Sequence, residues 1–160
     1  MDNKHSSFSY QELNGVEECS AAVQELFKMA AKAKDKAYAP YSKFKVGAAL
    51  LLEDGEIFTG NNQENAAYPS GLCAERVAIF AAKSQKTEAV VKSLVIVTNA
   101  QDIAVPVAPC GSCRQVLVEY EFMQKEKFDI YLQGSNGKVI RIPSAESLLP
   151  FSFHSEMLNS

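Results

Sequence analysis

Apolar residues early in the chain recur at three- and four-residue steps. Val16, Ala22, Val23, Leu26, Phe27 and Ala30 fall on one face of a helix. Asn14, with Glu17 three positions on, reads as the start of that helix. Pro40 requires its end upstream, because the residue before a proline avoids the helical region. Residues 1–14 then read as a flexible lead-in. From Lys45 the pattern changes. In "KVGAALLLEDGEIFTG" two apolar runs flank Glu53-Asp54-Gly55, which predicts a hairpin closed by an Asp-Gly turn. A short helix is expected over 73–83, a buried strand over "VVKSLVIV", a loop over 99–109, and a third helix from Cys110, behind Pro109, to about Phe122. "FDIYL" and "KVIRI" are strands joined by Ser135-Asn136-Gly137. Ser144 is placed to cap a last short helix through Leu149. The order α-β-β-α-β-α-β-β-α predicts an α/β fold with α-β-α layers, in which helices pack on a mixed sheet of about five strands.

Composition narrows the class. The chain has 160 residues, 47% hydrophobic and 22% charged, which suits one globular domain over 1–160. A net charge of −3, with no basic cluster, argues against nucleic acid as a partner. The polar "MDNKHSSFSYQELNG" lacks the apolar stretch of a signal peptide, and no apolar run approaches the ~18 residues of a membrane span. The expectation is a cytoplasmic protein with no membrane contact. Four cysteines in that setting point to metal ligands, catalytic groups or core thiols rather than disulfides.

Two segments concentrate the chemistry. "PSGLCAERVAIF" places Cys73 two residues before Glu75 at a helix start, and "APCGSCRQVLVEY" places Cys110 and Cys113 in the first turn of another. Residues i and i+3 share a helix face, and helix N-termini favour the thiolate, the form that binds metal. Three thiols at two helix starts make a zinc cage with an open fourth position, as in catalytic sites. Zinc brings the pKa of bound water towards neutrality, and Glu75 is placed to take its proton. Three thiolates on Zn²⁺ leave a net negative charge. Arg76 and Arg114 are both candidates to offset it by hydrogen-bonding a sulfur. Cys19 falls in the first helix's pattern, and neither His5 nor His154 is assigned to zinc.

These motifs, with "APYSKFKVGAALL", "GNNQENAAYPSGLCAER" and "LLPFSF", resemble the small homotetrameric cytidine deaminases of nucleoside salvage, from about Tyr38 to Phe153. Zinc deaminases accept three cysteines as a ligand set in place of one histidine and two cysteines. The resemblance implies hydrolytic deamination of cytidine and deoxycytidine, with water attacking C4 and ammonia leaving. It implies one zinc per subunit on Cys73, Cys110 and Cys113, with Glu75 as proton shuttle. Asn62 and Glu64 match positions that bind the ribose hydroxyl, with Glu64 expected to be buried. Ala66 matches a backbone contact to the pyrimidine edge, and Phe44 the ring that stacks on the base. Tyr68 and Phe153 match residues that a neighbouring subunit lends to the pocket, so the homotetramer would have shared active sites. The sequence departs from the family at Asn61 and Ala67, where cysteine is common, and at Ala108, where serine is. Three rivals remain open: a deaminase of another cytosine nucleoside such as blasticidin S, a nucleic-acid cytosine editor, and a non-enzymatic zinc-stabilised module.

Overall fold

In the computed structural model, which describes residues 2–101, 103 and 105–158, six strands form one mixed sheet. They are β1 (Gln11–Leu13), β2 (Val46–Leu52), β3 (Ile57–Asn61), β4 (Val91–Thr98), β5 (Asp129–Gln133) and β6 (Val139–Ile142), in the order β1-β6-β5-β4-β2-β3. The helices are α1 (Ala21–Asp35), α2 (Ala74–Gln85) and α3 (Gly111–Gln124). β4 and β5 pair in parallel, with α3 in the crossover between them; the other pairs are antiparallel.

Period-two alternation sorts the sheet into two faces. Ala49, Val95, Val97 and Tyr131 point to α1 and pack with its Val23, Leu26, Phe27 and Ala30. Their neighbours Ala48, Leu50, Leu94, Ile96, Ile130 and Leu132 point the other way, to Ala78 and Ile79 of α2 and to Leu117 and Val118 of α3. The α-β-α layering therefore follows from the strand pattern, as expected. Gly60 explains how α2 comes so close to the sheet. A Cβ there would stand 2.5 Å from the Ala74 carbonyl oxygen, at the helix start that carries the site. The two turns read from sequence are present, with Gly55 at φ 88° and Gly137 at φ 83°.

Three expectations are corrected. The lead-in is not wholly free: Gln11–Leu13 form an edge strand, the sixth of the sheet, paired with β6. It is tied by a Lys138–Glu12 ion pair and by Arg141 donating to Gln11. The first helix does not start at Asn14. That side chain bonds Glu18 across a short 3-10 turn, Val16–Glu18, and Ser20 caps α1 by accepting from the Val23 amide. Ser144 does not cap the last turn, which is a 3-10 turn at Glu146–Leu148. Its hydroxyl donates to Glu121, a buried carboxylate that also accepts from the amides of Phe128, Ala145 and Glu146. A buried charge needs donors, and this need outweighs the cap. The expected loop over 99–109 includes positions 102 and 104, which lie outside the described residues, as do residues 1, 159 and 160. Among the described residues no helix is long and apolar enough to cross a membrane.

Candidate metal centre and cleft

Cys73 is the residue that caps α2, and Cys110 the residue that caps α3. Neither uses its side chain to bond the helix's free amides, so both sulfurs are available elsewhere. They converge with Cys113, which is fully buried one turn into α3. The three sulfurs lie within 4.8 Å of one another, and Cys73 Sγ stands 3.8 Å from Cys110 Sγ. Zn–S bonds of about 2.3 Å at tetrahedral angles separate two sulfurs by about 3.8 Å. The donor set and its spacing therefore fit zinc.

Protonation fits as well. Hydrogen bonding from Cys113, helped by Arg76 and Cys110, holds the Cys73 thiol down at about 5. Its bond to Cys73, followed by burial and the charge of Glu75, pushes the Cys113 thiol far up. The two shifts are opposite sides of one coupling among neighbouring sulfurs, in which Cys113 keeps its proton while Cys73 gives its own up. A cation at the centre would take the place of that proton.

The two arginines differ in their contacts. Arg76 Nη2 donates to Cys73 Sγ at 3.6 Å. Arg114 turns away from the sulfurs, donating from Nε to Pro109 O at 2.7 Å and from Nη1 to Leu148 O at 2.9 Å. Of the two, Arg76 is the one in contact with a sulfur. Glu75 is 4% exposed, and burial, before the charge of Cys73, raises its pKa. A carboxyl so placed takes up a proton more readily than an exposed one.

An open cleft of about 530 Å³ meets this centre at Cys73 and Arg76, and Asn62, Glu64, Tyr68 and Leu72 also line it. Asn62 is already engaged. Its Oδ1 accepts from the Val46 amide at 2.8 Å and its Nδ2 donates to Phe44 O at 2.9 Å, leaving one N–H and one lone pair for a ligand. Glu64 accepts from the Tyr41 and Ser42 amides and from the Ser42 hydroxyl, contacts that lower its pKa, the hydroxyl's most. Its expected burial is corrected: in a single chain the carboxylate faces the open cleft. Tyr68 is 78% exposed and meets Tyr41 edge to face. Phe44, Ala66 and Phe153 lie outside that lining. Ser42 is the residue sequence reading missed. It sits inside "APYSKFKVG", but nothing in the sequence shows its hydroxyl reaching forward to Glu64.

The cage fixes what to compare. Residues 20–126 match the family model described as the cytidine and deoxycytidylate deaminase zinc-binding region. The chain belongs to this zinc-binding deaminase family. It is 42% identical over 137 residues to a cytidine deaminase of Sporosarcina psychrophila, spanning 86% of this chain and 95% of that one. A cytidine deaminase of Halalkalibacterium halodurans is 43% identical over 136 residues, 85% of this chain and 97% of that one. Among solved structures, the cytidine deaminase of Burkholderia pseudomallei superposes with a TM-score of 0.70 at 41% identity, covering 81% of this chain and 98% of the other. Family membership makes the three-cysteine cage a deaminase zinc site, and the α/β fold that of the deaminases.

Proposed function

We propose that this chain hydrolyses cytidine and deoxycytidine to uridine and deoxyuridine with release of ammonia, as an enzyme of pyrimidine nucleoside salvage. The observation that carries the reading is the buried Glu75 carboxyl beside three convergent sulfurs at the end of an open cleft. Zinc, when bound, supplies a Lewis acid that makes water nucleophilic near neutral pH. Cys73, Cys110 and Cys113 would hold it, and Arg76 balances the sulfur charge. Glu75 takes a proton from the attacking water and gives it to the ring nitrogen. It then moves the second proton to the exocyclic amino group. A C4–O bond forms, the C4–N bond breaks, and ammonia leaves. A carboxyl of raised pKa suits both halves of that exchange.

Asn62 and Glu64 bind the ribose in this reading. Glu64 is an acceptor held in place by three donors, so a sugar hydroxyl finds it already oriented. Ala66 offers its backbone to the pyrimidine edge and Phe44 its ring to the base. A zinc that only stabilised the fold would leave Glu75 without a role, and the nucleoside antibiotic alternative is not favoured by the relatives. The whole chain acts as one domain, with the cytoplasm as its compartment. A panel of substrates tests the assignment. Cytidine and deoxycytidine are expected to lose their amino group, while a single-stranded oligonucleotide is not; efficient deamination of the oligonucleotide would revive the editing alternative.

Assembly belongs to the same reading. The tail lies along its own α3 up to the 3-10 turn Ser155–Leu158, with His154 stacked on Phe122 at 4.4 Å. Yet Phe151 and Phe153 stay exposed, at 99% and 56%. Large exposed rings on a folded surface mark an interface. In an assembly of four copies, Phe153 would reach a neighbouring cleft, and Tyr68, at the open edge of its own, would extend to a neighbour's as well. Light scattering on the active protein is expected to give the mass of four chains, and full activity in a single-chain particle would contradict this.

A further inference from the structure

The segment 149–153 is held at both ends by consecutive residues of α3. Arg114 Nη1 donates to Leu148 O at 2.9 Å, and Gln115 Nε2 donates to Phe153 O at 2.7 Å. Both residues directly follow Cys113. Between the two clamps the backbone turns sharply. Phe151 has φ 59°, in the left-handed region that bulky residues rarely enter. Ser152 is buried, while Phe151 and Phe153 on either side point outward. Such a conformation persists only where the surroundings over-determine it. The clamps supply that constraint and turn the segment into a rigid hook rather than a loose tail.

We propose that Gln115 is a positioning residue for substrate binding: by holding the Phe153 carbonyl it sets the angle at which the Phe153 ring enters the cleft of a neighbouring copy. The proposal rests on the shared-site reading above. Gln115 stands outside both the sulfur cluster and the cleft lining of its own chain, so its effect on substrate passes through Phe153. Arg114 holds the other end, but it also bonds the carbonyl of Pro109, next to Cys110, so its loss would disturb the metal centre too. Gln115 is the cleaner probe. A ring held in its bound orientation loses little freedom when substrate arrives, and this is where preorganisation gains affinity.

The experiment is a double-mutant cycle on the zinc-loaded full-length protein, reading KM, kcat, zinc content and thermal midpoint for Gln115→Ala, Phe153→Ala and the pair. Phe153→Ala is expected to raise KM for cytidine about tenfold or more, the range of a buried aromatic anchor. Gln115→Ala is expected to raise KM about three- to tenfold, with kcat within about twofold and zinc still equimolar. In the Phe153→Ala background, Gln115→Ala should add nothing, because no ring is left to position. An unchanged KM in Phe153→Ala would remove the shared-site reading and this proposal with it. A raised KM in Phe153→Ala but not in Gln115→Ala would overturn the positioning role alone. So would a Gln115→Ala effect that persists undiminished in the double variant.

Discussion

Cys113→Ala is expected to lose zinc and activity together while the fold survives. The thiol is fully buried and its sulfur lies within 4.8 Å of those of Cys73 and Cys110. Losing one of three protein ligands leaves two, too few for a tight zinc site. Even changes to groups that only support ligands cost about 10- to 100-fold in metal affinity, so loss of a ligand should exceed that. Cys73→Ala and Cys110→Ala should behave alike. Cys19→Ala is the control. Cys19 packs with Val23 and Phe27 beneath α1, on the opposite face of the sheet, and its replacement should leave zinc in place. Elemental analysis and far-UV circular dichroism separate metal loss from unfolding. Equimolar zinc in folded Cys113→Ala protein would remove the cage as described.

Glu75→Gln is expected to keep zinc and lose turnover. Glutamine matches the carboxyl in size and fits the same buried place at the start of α2, so neither the helix nor the sulfurs should move. What it lacks is the ability to take a proton and return it. General acid–base catalysis is worth roughly 10²–10⁴-fold, and in the proposed mechanism Glu75 serves two transfers in each turnover, so kcat should fall by at least ~10²-fold. Zinc content measured on the same sample shows that the loss is chemical. A loss well below ~10²-fold would mean that another group moves the protons, and Glu75 would then be a buried structural acid.

Much of this was legible in the sequence because local rules and tertiary packing agree there. The β2–β3 hairpin was readable because Asp54-Gly55 supplies the turn and the flanking runs supply two buried strands. The start of α3 was readable because Pro109 stands just ahead of it, and that of α2 because an apolar run begins just after Cys73. Elsewhere the deciding contact lies far along the chain. β1 is three residues, two of them exposed, and exists only because β6 offers an edge. No periodicity could reveal it. Ser144 carries a helix-cap signature, yet the buried Glu121 competes for its hydroxyl and wins. Asn14 offered the start of α1 in the sequence, but its side chain bonds Glu18 across a 3-10 turn and Ser20 caps the helix instead. In the site, the meeting of Cys73, Cys110 and Cys113 was legible from their places at two helix starts. That Glu64 stays half-buried at the cleft was not, since the cleft wall around it depends on the Tyr41–Ser42 loop. That Arg76 and not Arg114 touches a sulfur needed coordinates, because both lie within three residues after one of the cysteines and only side-chain direction distinguishes them.

In the function proposed here, one zinc held by Cys73, Cys110 and Cys113 lets this chain deaminate cytidine. A titration tests this most directly: strip the purified protein with a chelator, add zinc back in steps, and follow cytidine loss by absorbance. The stripped protein is expected to show no deamination, and activity should return linearly and level off at one zinc per chain. Full activity without metal, or no cytidine turnover with one zinc bound to every chain, would contradict it.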